Sequence, residues 1–375
     1  MSPMPPLSAE EKSFLGKVMT LGKATNLPVT MTPGELARLM GVVYSDNGKL
    51  GDLAAVRGDF ASMITPPERD YYAIPDEWFS ESVGVDQDGL VVLMRLGVQQ
   101  IQDFITYLKC LAELHKRRRK YAMILSAQPM PTMVQVSPRA LLEFQQVDDV
   151  ALASWLTWRK FFYDIDNRAA QETGYLFEPI LAAALGGEPK SAGDKVVVRT
   201  GDASKGRQVD CWKVQPDGQS LAYEFKLRVT IAASGQGRFA EELQFAEDCA
   251  NSGVVPVLVV LDPTPNARLD DLRAQYEAKG GRAFVGAAAW GHLEDEAGEV
   301  MATFIEKYVR RPVAAVTAVE NADDGGEQPG RVRLLDLGAR LHDGELIFTL
   351  GESERRIPRN EDALLAGDDG NDADD

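Results

Sequence analysis

GRQVDCWKV at 206–214, followed by LAYEFKLRV at 221–229, decides how this chain is read, because both stretches have the composition of neighbouring β-strands. Side chains on a strand alternate faces, so Glu224 and Lys226 project together while Tyr223, Phe225 and Leu227 project to the other side. One face is apolar and the other carries chemistry. Register then decides whether Asp210 joins Glu224. A two-residue loop at Asp217-Gly218 would set Asp210 opposite Phe225 and away from Glu224. A three-residue loop of Pro216, Asp217 and Gly218 sets Asp210 opposite Glu224, and the expected site requires that register or a bulge.

Two carboxylates and a lysine at one sheet suit metal-assisted cleavage of a phosphodiester. Acidic oxygens are ligands for a hard cation such as Mg²⁺, which polarises the scissile phosphate and lowers the pKa of a bound water. Asp210 and Glu224 are the expected ligands, and Lys226 is placed to orient the water or stabilise developing charge. Upstream, ETGYLFEPILAAALGG at 172–187 predicts a helix containing Glu178 and ending at Gly186-Gly187, followed by a strand at 195–200. Downstream, 238–253 predicts a helix with Phe239, Leu243, Ala246 and Ala250 on one face, and 254–262 a buried strand.

Asp210, thirteen further residues and then Glu224-Phe225-Lys226 resemble the PD-(D/E)XK signature of type II restriction endonucleases. The order helix, three strands, helix, strand is similar to the core of that family, and the resemblance covers roughly 168–290. It implies an α/β fold with a restriction-endonuclease-like core, a central mixed β-sheet flanked by helices. It also implies that Glu178 supplies an additional acid. The family's Pro before the first Asp is Val209 here, a position that carries no ligand. The run EFKLRVTIAASGQGR at 224–238 resembles, more narrowly, the ApaLI-like restriction endonucleases. What the resemblance implies is Mg²⁺-dependent cleavage of both strands of a short palindromic DNA site, leaving 5′-phosphates, by a homodimer whose host carries a matching DNA methyltransferase.

At 375 residues with 45% hydrophobic content, the chain can bury a sizeable core. No apolar run approaches the roughly 20 residues that span a bilayer, and MSPMPPLSAEEKSF lacks the form of a signal peptide, so a cytoplasmic protein is expected. Cys110, Cys211 and Cys249 are isolated and read as reduced, buried thiols; His115, His292 and His342 have no metal-ligand spacing. No phosphate-binding loop of the GxxxxGK[ST] type is present, which argues against an ATP-driven enzyme. The formal net charge of −17 opposes DNA binding at first sight. Residues 316–375 hold 16 acids against six arginines, so most of the excess sits at the C-terminal end.

Domain organisation is expected as a mainly helical region over 1–165 that helps enclose DNA, a nuclease core at 166–312, a linker at 313–330, a small β element at 331–360 turning at Asp343-Gly344, and a disordered acidic tail at 361–375. Helical patterns are predicted at 98–119 and 138–163, and 32–56 loosely resembles a helix-turn-helix although plain packing accounts for it. The aromatic group at 155–165 reads as core. Expected phosphate contacts are Lys205 and Arg207 before the Asp210 strand and Arg228 and Arg238 after Lys226. The basic run HKRRRK is a further one, with Lys116, Arg117, Arg118 and Arg119 closing a helix. Two other functions remain open on the sequence: a structure-selective repair or recombination nuclease on the same core, and a non-catalytic acidic DNA mimic.

Overall fold

The computed structural model describes residues 8–21, 27–227, 235–262, 264–317 and 335–360. Its N-terminal half is built on α1 (Ala9–Met19), α2 (Pro33–Asp46), α3 (Leu50–Ile64), α4 (Gln87–Gln100) and α5 (Phe104–Ala127), followed by the long α6 (Asp149–Ala184). Thr32 starts α2 through a capping box: its hydroxyl accepts from the Glu35 N–H, and the Glu35 carboxylate accepts from the Thr32 N–H. Every residue of α2 from Glu35 to Tyr44 is buried, so packing does account for the helix–turn–helix pattern at 32–56.

Two helical expectations are corrected. The pattern at 98–119 is broken at Ile101–Asp103, where Asp103 is left-handed, and α5 then runs on to Ala127. HKRRRK therefore lies inside a helix, because Ile124 and Leu125 continue the buried spacing until Gln128-Pro129 stops it. Of the pattern at 138–163 only 149–163 is α-helical, since Ser137–Leu142 form a 3-10 helix and Asp148 caps the start of α6; that part and 172–184 belong to one helix, α6, which nothing in the polar stretch 166–174 breaks. It ends at Gly186, whose φ of +71° favours glycine. At Gly187 a Cβ would come within 2.4 Å of Cys211 Sγ, so glycine lets the helix end approach the sheet.

The strands that follow are β1 (Glu188–Lys190), β2 (Val198–Arg199), β3 (Asp202–Gly206), β4 (Val209–Val214), β5 (Ser220–Lys226), β6 (Val255–Val260) and β7 (Arg282–Val285). The central sheet has the order β1-β4-β5-β6-β7. Pairing is antiparallel from β1 through β5 and parallel from β5 through β7, which makes it mixed as expected. Its first strand is not the predicted 195–200. Gly201 turns that segment back on itself, and β2 and β3 pair as a separate ribbon while β1, carrying Pro189, takes the sheet edge.

The sheet is covered on both faces. Cys211, Leu221, Tyr223, Phe225, Val257 and Val259 pack into one cluster with Phe177 and Leu181 of α6 and with α9 (Ala287–Ile305). Ala222, Leu258 and Val260 pack against Phe245, Ala246 and Cys249 of α7 (Gly235–Asn251) and against α8 (Ala267–Ala278). The first cluster extends without a gap to Leu36 and Tyr107, and α6 carries the chain straight through residue 165. The N-terminal region therefore shares the core of the nuclease region across the boundary drawn there from the sequence.

Residues 335–360 form a three-stranded antiparallel sheet, β8 (Leu337–His342), β9 (Glu345–Leu350) and β10 (Ser353–Pro358), turning at Asp343-Gly344 as predicted. Leu346, Phe348 and Ile357 meet Phe161, Trp158 and Phe162, so the aromatic group of α6 is the seat on which this sheet caps the molecule. Residues 313–317, the start of the predicted linker, are helical; 318–334 and 361–375 lie outside the described residues. Among the described residues, no helix is long and apolar enough to cross a membrane.

Candidate active site

The β4–β5 hairpin adopts the register that the site requires. Cys211 pairs with Tyr223 and Val214 with Ser220, and the Gln215 N–H donates to the Gln219 carbonyl at 2.8 Å, which leaves Pro216, Asp217 and Gly218 as the loop. Gly218 has φ +87°, a conformation that glycine adopts without strain. Continued by one residue, this register sets Asp210 opposite Glu224. Asp210 is buried, and its Oδ2 accepts the Phe225 N–H at 2.9 Å. Glu224 and Lys226 share the Ala222 side of β5, and Lys226 Nζ donates to Glu224 Oε1 at 2.7 Å.

Charge at this site is out of balance. Burial raises the Asp210 carboxyl well above the usual carboxylate range, and the negative charges of Glu224 and Glu178 add to the effect. Burial and then Glu224 raise Glu178 also. For Lys226, burial pulls the ammonium down, but Glu224 and Glu242 outweigh it and the net shift is upward. Asp210, Glu224 and Glu178 thus act on one another as like charges, and Lys226 is the cation that Glu224 and Glu242 hold. That excess fits a hard divalent cation better than a protein-only site, and all the donors are oxygen. Among the described residues no three acid, imidazole or thiol side chains are gathered closely enough to hold a metal ion.

Glu242 is an acid beside Lys226 that sequence reasoning missed. It stands on α7, its Oε1 is 3.4 Å from Lys226 Nζ, and its Oε2 is buried without a hydrogen-bond partner. A signal was present: Glu242 follows Phe239 by three residues and precedes Ala246 by four, so the helical period puts an acid on the face that should be apolar.

The expected phosphate contacts divide. Lys205 projects from β3 with its side chain 69% exposed and 3.3 Å from Asp202. Arg207 is buried instead, with Nε 2.5 Å from Asp248 and Nη1 2.5 Å from Glu241, and so pins the β2–β3 ribbon to α7. Lys116 is buried and donates to the Thr20 carbonyl at 3.1 Å; Arg117 reaches Glu113 and Glu172; Arg119 meets the buried Glu35 at 2.5 Å. These three are committed to internal partners rather than to a solvated basic face. Arg118 is exposed, lying over Tyr71 and Tyr72 at 5.1 and 5.2 Å. Arg228 and the Arg238 side chain lie outside the described residues.

The expectation for the cysteines holds. All three cysteines are free and buried, with burial pushing the Cys110 and Cys211 thiols up to about 12. His115 is buried against Tyr71, His292 is stacked on Phe284 and His342 pairs with Asp343 at the surface.

A buried Asp on one strand, Glu-x-Lys on the next and helices on both faces of a mixed sheet define the class: this is the arrangement of the PD-(D/E)XK nucleases. Residues 89–310 match the family model of the ApaLI-like restriction endonucleases. The type II restriction enzyme ApaLI of Acetobacter pasteurianus is 56% identical over 364 residues, which cover 96% of this chain and 97% of that protein. No solved structure matches. The chain belongs to the ApaLI-like restriction endonucleases, and it is a site-specific deoxyribonuclease. That membership sets aside the DNA-mimic and structure-selective readings.

Proposed function

We propose that this chain hydrolyses both strands of a short palindromic DNA site in a Mg²⁺-dependent reaction that leaves 5′-phosphates, with Asp210 and Glu224 holding the metal. The observation that carries this is the hairpin register that sets the buried Asp210 opposite Glu224, with Lys226 2.7 Å from Glu224. When bound, the metal supplies Lewis-acid polarisation of the phosphate and a more acidic water. Asp210 is fixed for its part by the Phe225 N–H, which aims one oxygen and leaves the other available. Lys226, kept as an ammonium by Glu224 and Glu242, positions the attacking water and opposes charge building on the phosphate oxygens. Glu178 adds a third acid at the edge of the site. Lys205 and Arg118 are the expected phosphate contacts that keep access to solvent.

Cutting a palindrome on both strands calls for two such sites related by two-fold symmetry, and a host in whose cytoplasm the enzyme acts needs a methyltransferase protecting the same sequence. The test is incubation of long phage DNA with the protein, with Mg²⁺ or chelator, beside Lys226→Ala. Discrete Mg²⁺-dependent fragments with ligatable 5′-phosphate ends, lost in the variant, are expected. A smear, or cleavage that survives the substitution, would overturn the reading.

A further inference from the structure

Far from the catalytic hairpin, residues 133–147 fold back over the first turns of α6, where Val136 and Ala140 pack on Leu152 and Leu156. The outer side of this segment is apolar and uncovered. Val134, Leu141, Leu142 and Val150 are 85%, 85%, 86% and 80% exposed, and Phe144 and Trp155 are 58% and 53% exposed. We propose that this face is the interface through which two copies of the chain pair, an inference that rests on the two-strand cleavage proposed above and assigns its homodimer a surface.

Area favours a second copy as the occupant. These side chains expose apolar area on the order of 700 Å², more than the few hundred Å² that contiguous patches on soluble monomers usually reach and close to the ~800 Å² each partner buries in a standard interface. DNA is a poor occupant, because a polyanion gains little from a mainly apolar surface whose Arg159, lying over Trp155, is already paired with Glu143. The segment carries both signs of charge, exposed Arg139 and exposed Asp148 and Asp149, and a two-fold axis can bring opposite signs together. Placement fits the chemistry as well. Val150 precedes Glu178 by roughly eight turns of one unbroken helix, or about 40 Å, so pairing here leaves both hairpins free and lets the two α6 helices stand as arms with the duplex between them.

Sedimentation of the full chain at micromolar concentration, without DNA or metal, tests this directly. Wild type is expected at twice 41.0 kDa, and Leu141→Glu/Leu142→Glu at 41.0 kDa with unchanged far-UV circular dichroism. The expected weakening of pairing is at least ~100-fold, from four carboxylates forced into a desolvated contact. Val98→Glu, at a 54% exposed apolar position on α4, should leave the dimer intact. If the double variant does not fold, Leu142→Ser alone should still lower the dimer fraction. A monomeric wild type, or a folded double variant that stays dimeric, overturns the proposal. Because mass is read without substrate, a patch-dependent dimer that cuts no DNA would refute the nuclease chemistry and leave the interface standing.

Discussion

Asp210→Asn should make the metal-free protein more stable and the metal-loaded protein inactive. Asp210 is buried beside Glu224 and Glu178, with burial and both acids raising its carboxyl, so holding it ionised costs folding free energy. Because its folded-state pKa lies above the unfolded value, that cost is present at pH above the folded pKa and is relieved as pH falls through it. Asparagine keeps an oxygen to accept the Phe225 N–H and removes the charge, for a gain on the order of 1–2 kcal/mol at neutral pH, the size that relief of functional strain commonly yields. In wild type, Mg²⁺ at a hundred times its Kd should add about 2.7 kcal/mol. The variant should lose most of that increment. Denaturant unfolding in chelator and in Mg²⁺, across a pH series, reads all of this. Wild type in chelator should gain stability relative to the variant as pH falls through the raised Asp210 pKa. A variant less stable than wild type in chelator, or one that keeps the full Mg²⁺ increment, would refute the account of an excess of acids awaiting a cation.

Further outcomes follow from the same geometry. Arg207→Ala should destabilise the fold by about 3–5 kcal/mol in denaturant unfolding, because it leaves Asp248 charged and 0% exposed; a normal midpoint with weakened DNA binding would restore Arg207 as a phosphate contact. Glu242→Gln should lower kcat by ~10-fold or more while KM changes little, with Glu242→Asp recovering part of the loss, since Glu242 acts by holding Lys226; equal loss in both variants would point to a packing defect. Lys205→Ala should weaken DNA binding and reduce the slope of log K against log salt by about one, measured by fluorescence anisotropy, with cleavage at saturation retained. Phe161→Ala should cost about 3–5 kcal/mol and release the C-terminal sheet to protease before the core unfolds.

What the sequence determined by itself is local and periodic. Two strands with opposite-facing sets of side chains, a three-residue loop with glycine where φ is positive and an acid opposite an acid are properties of the chain within about twenty residues, so Asp210, Glu224 and Lys226 were legible together. The helix of 235–251 and the buried strand of 255–260 were legible for the same reason, as spacing and as a continuous apolar run.

Tertiary structure alone decided which charges are free. Arg117 and Arg119 read as phosphate contacts until α6 and α2 bring Glu172 and Glu35 against them, Lys116 until the chain at Thr20 covers it, and Arg207 until α7 delivers Asp248. Likewise the first sheet strand is the three-residue β1, chosen by pairing with β4 rather than by its own pattern, and Glu242 acquires its meaning from Lys226 on another element. The physical reason is common to these cases. Backbone propensity and side-chain alternation act between near neighbours, whereas the cost of burying a charge is settled by the partner that long-range packing supplies.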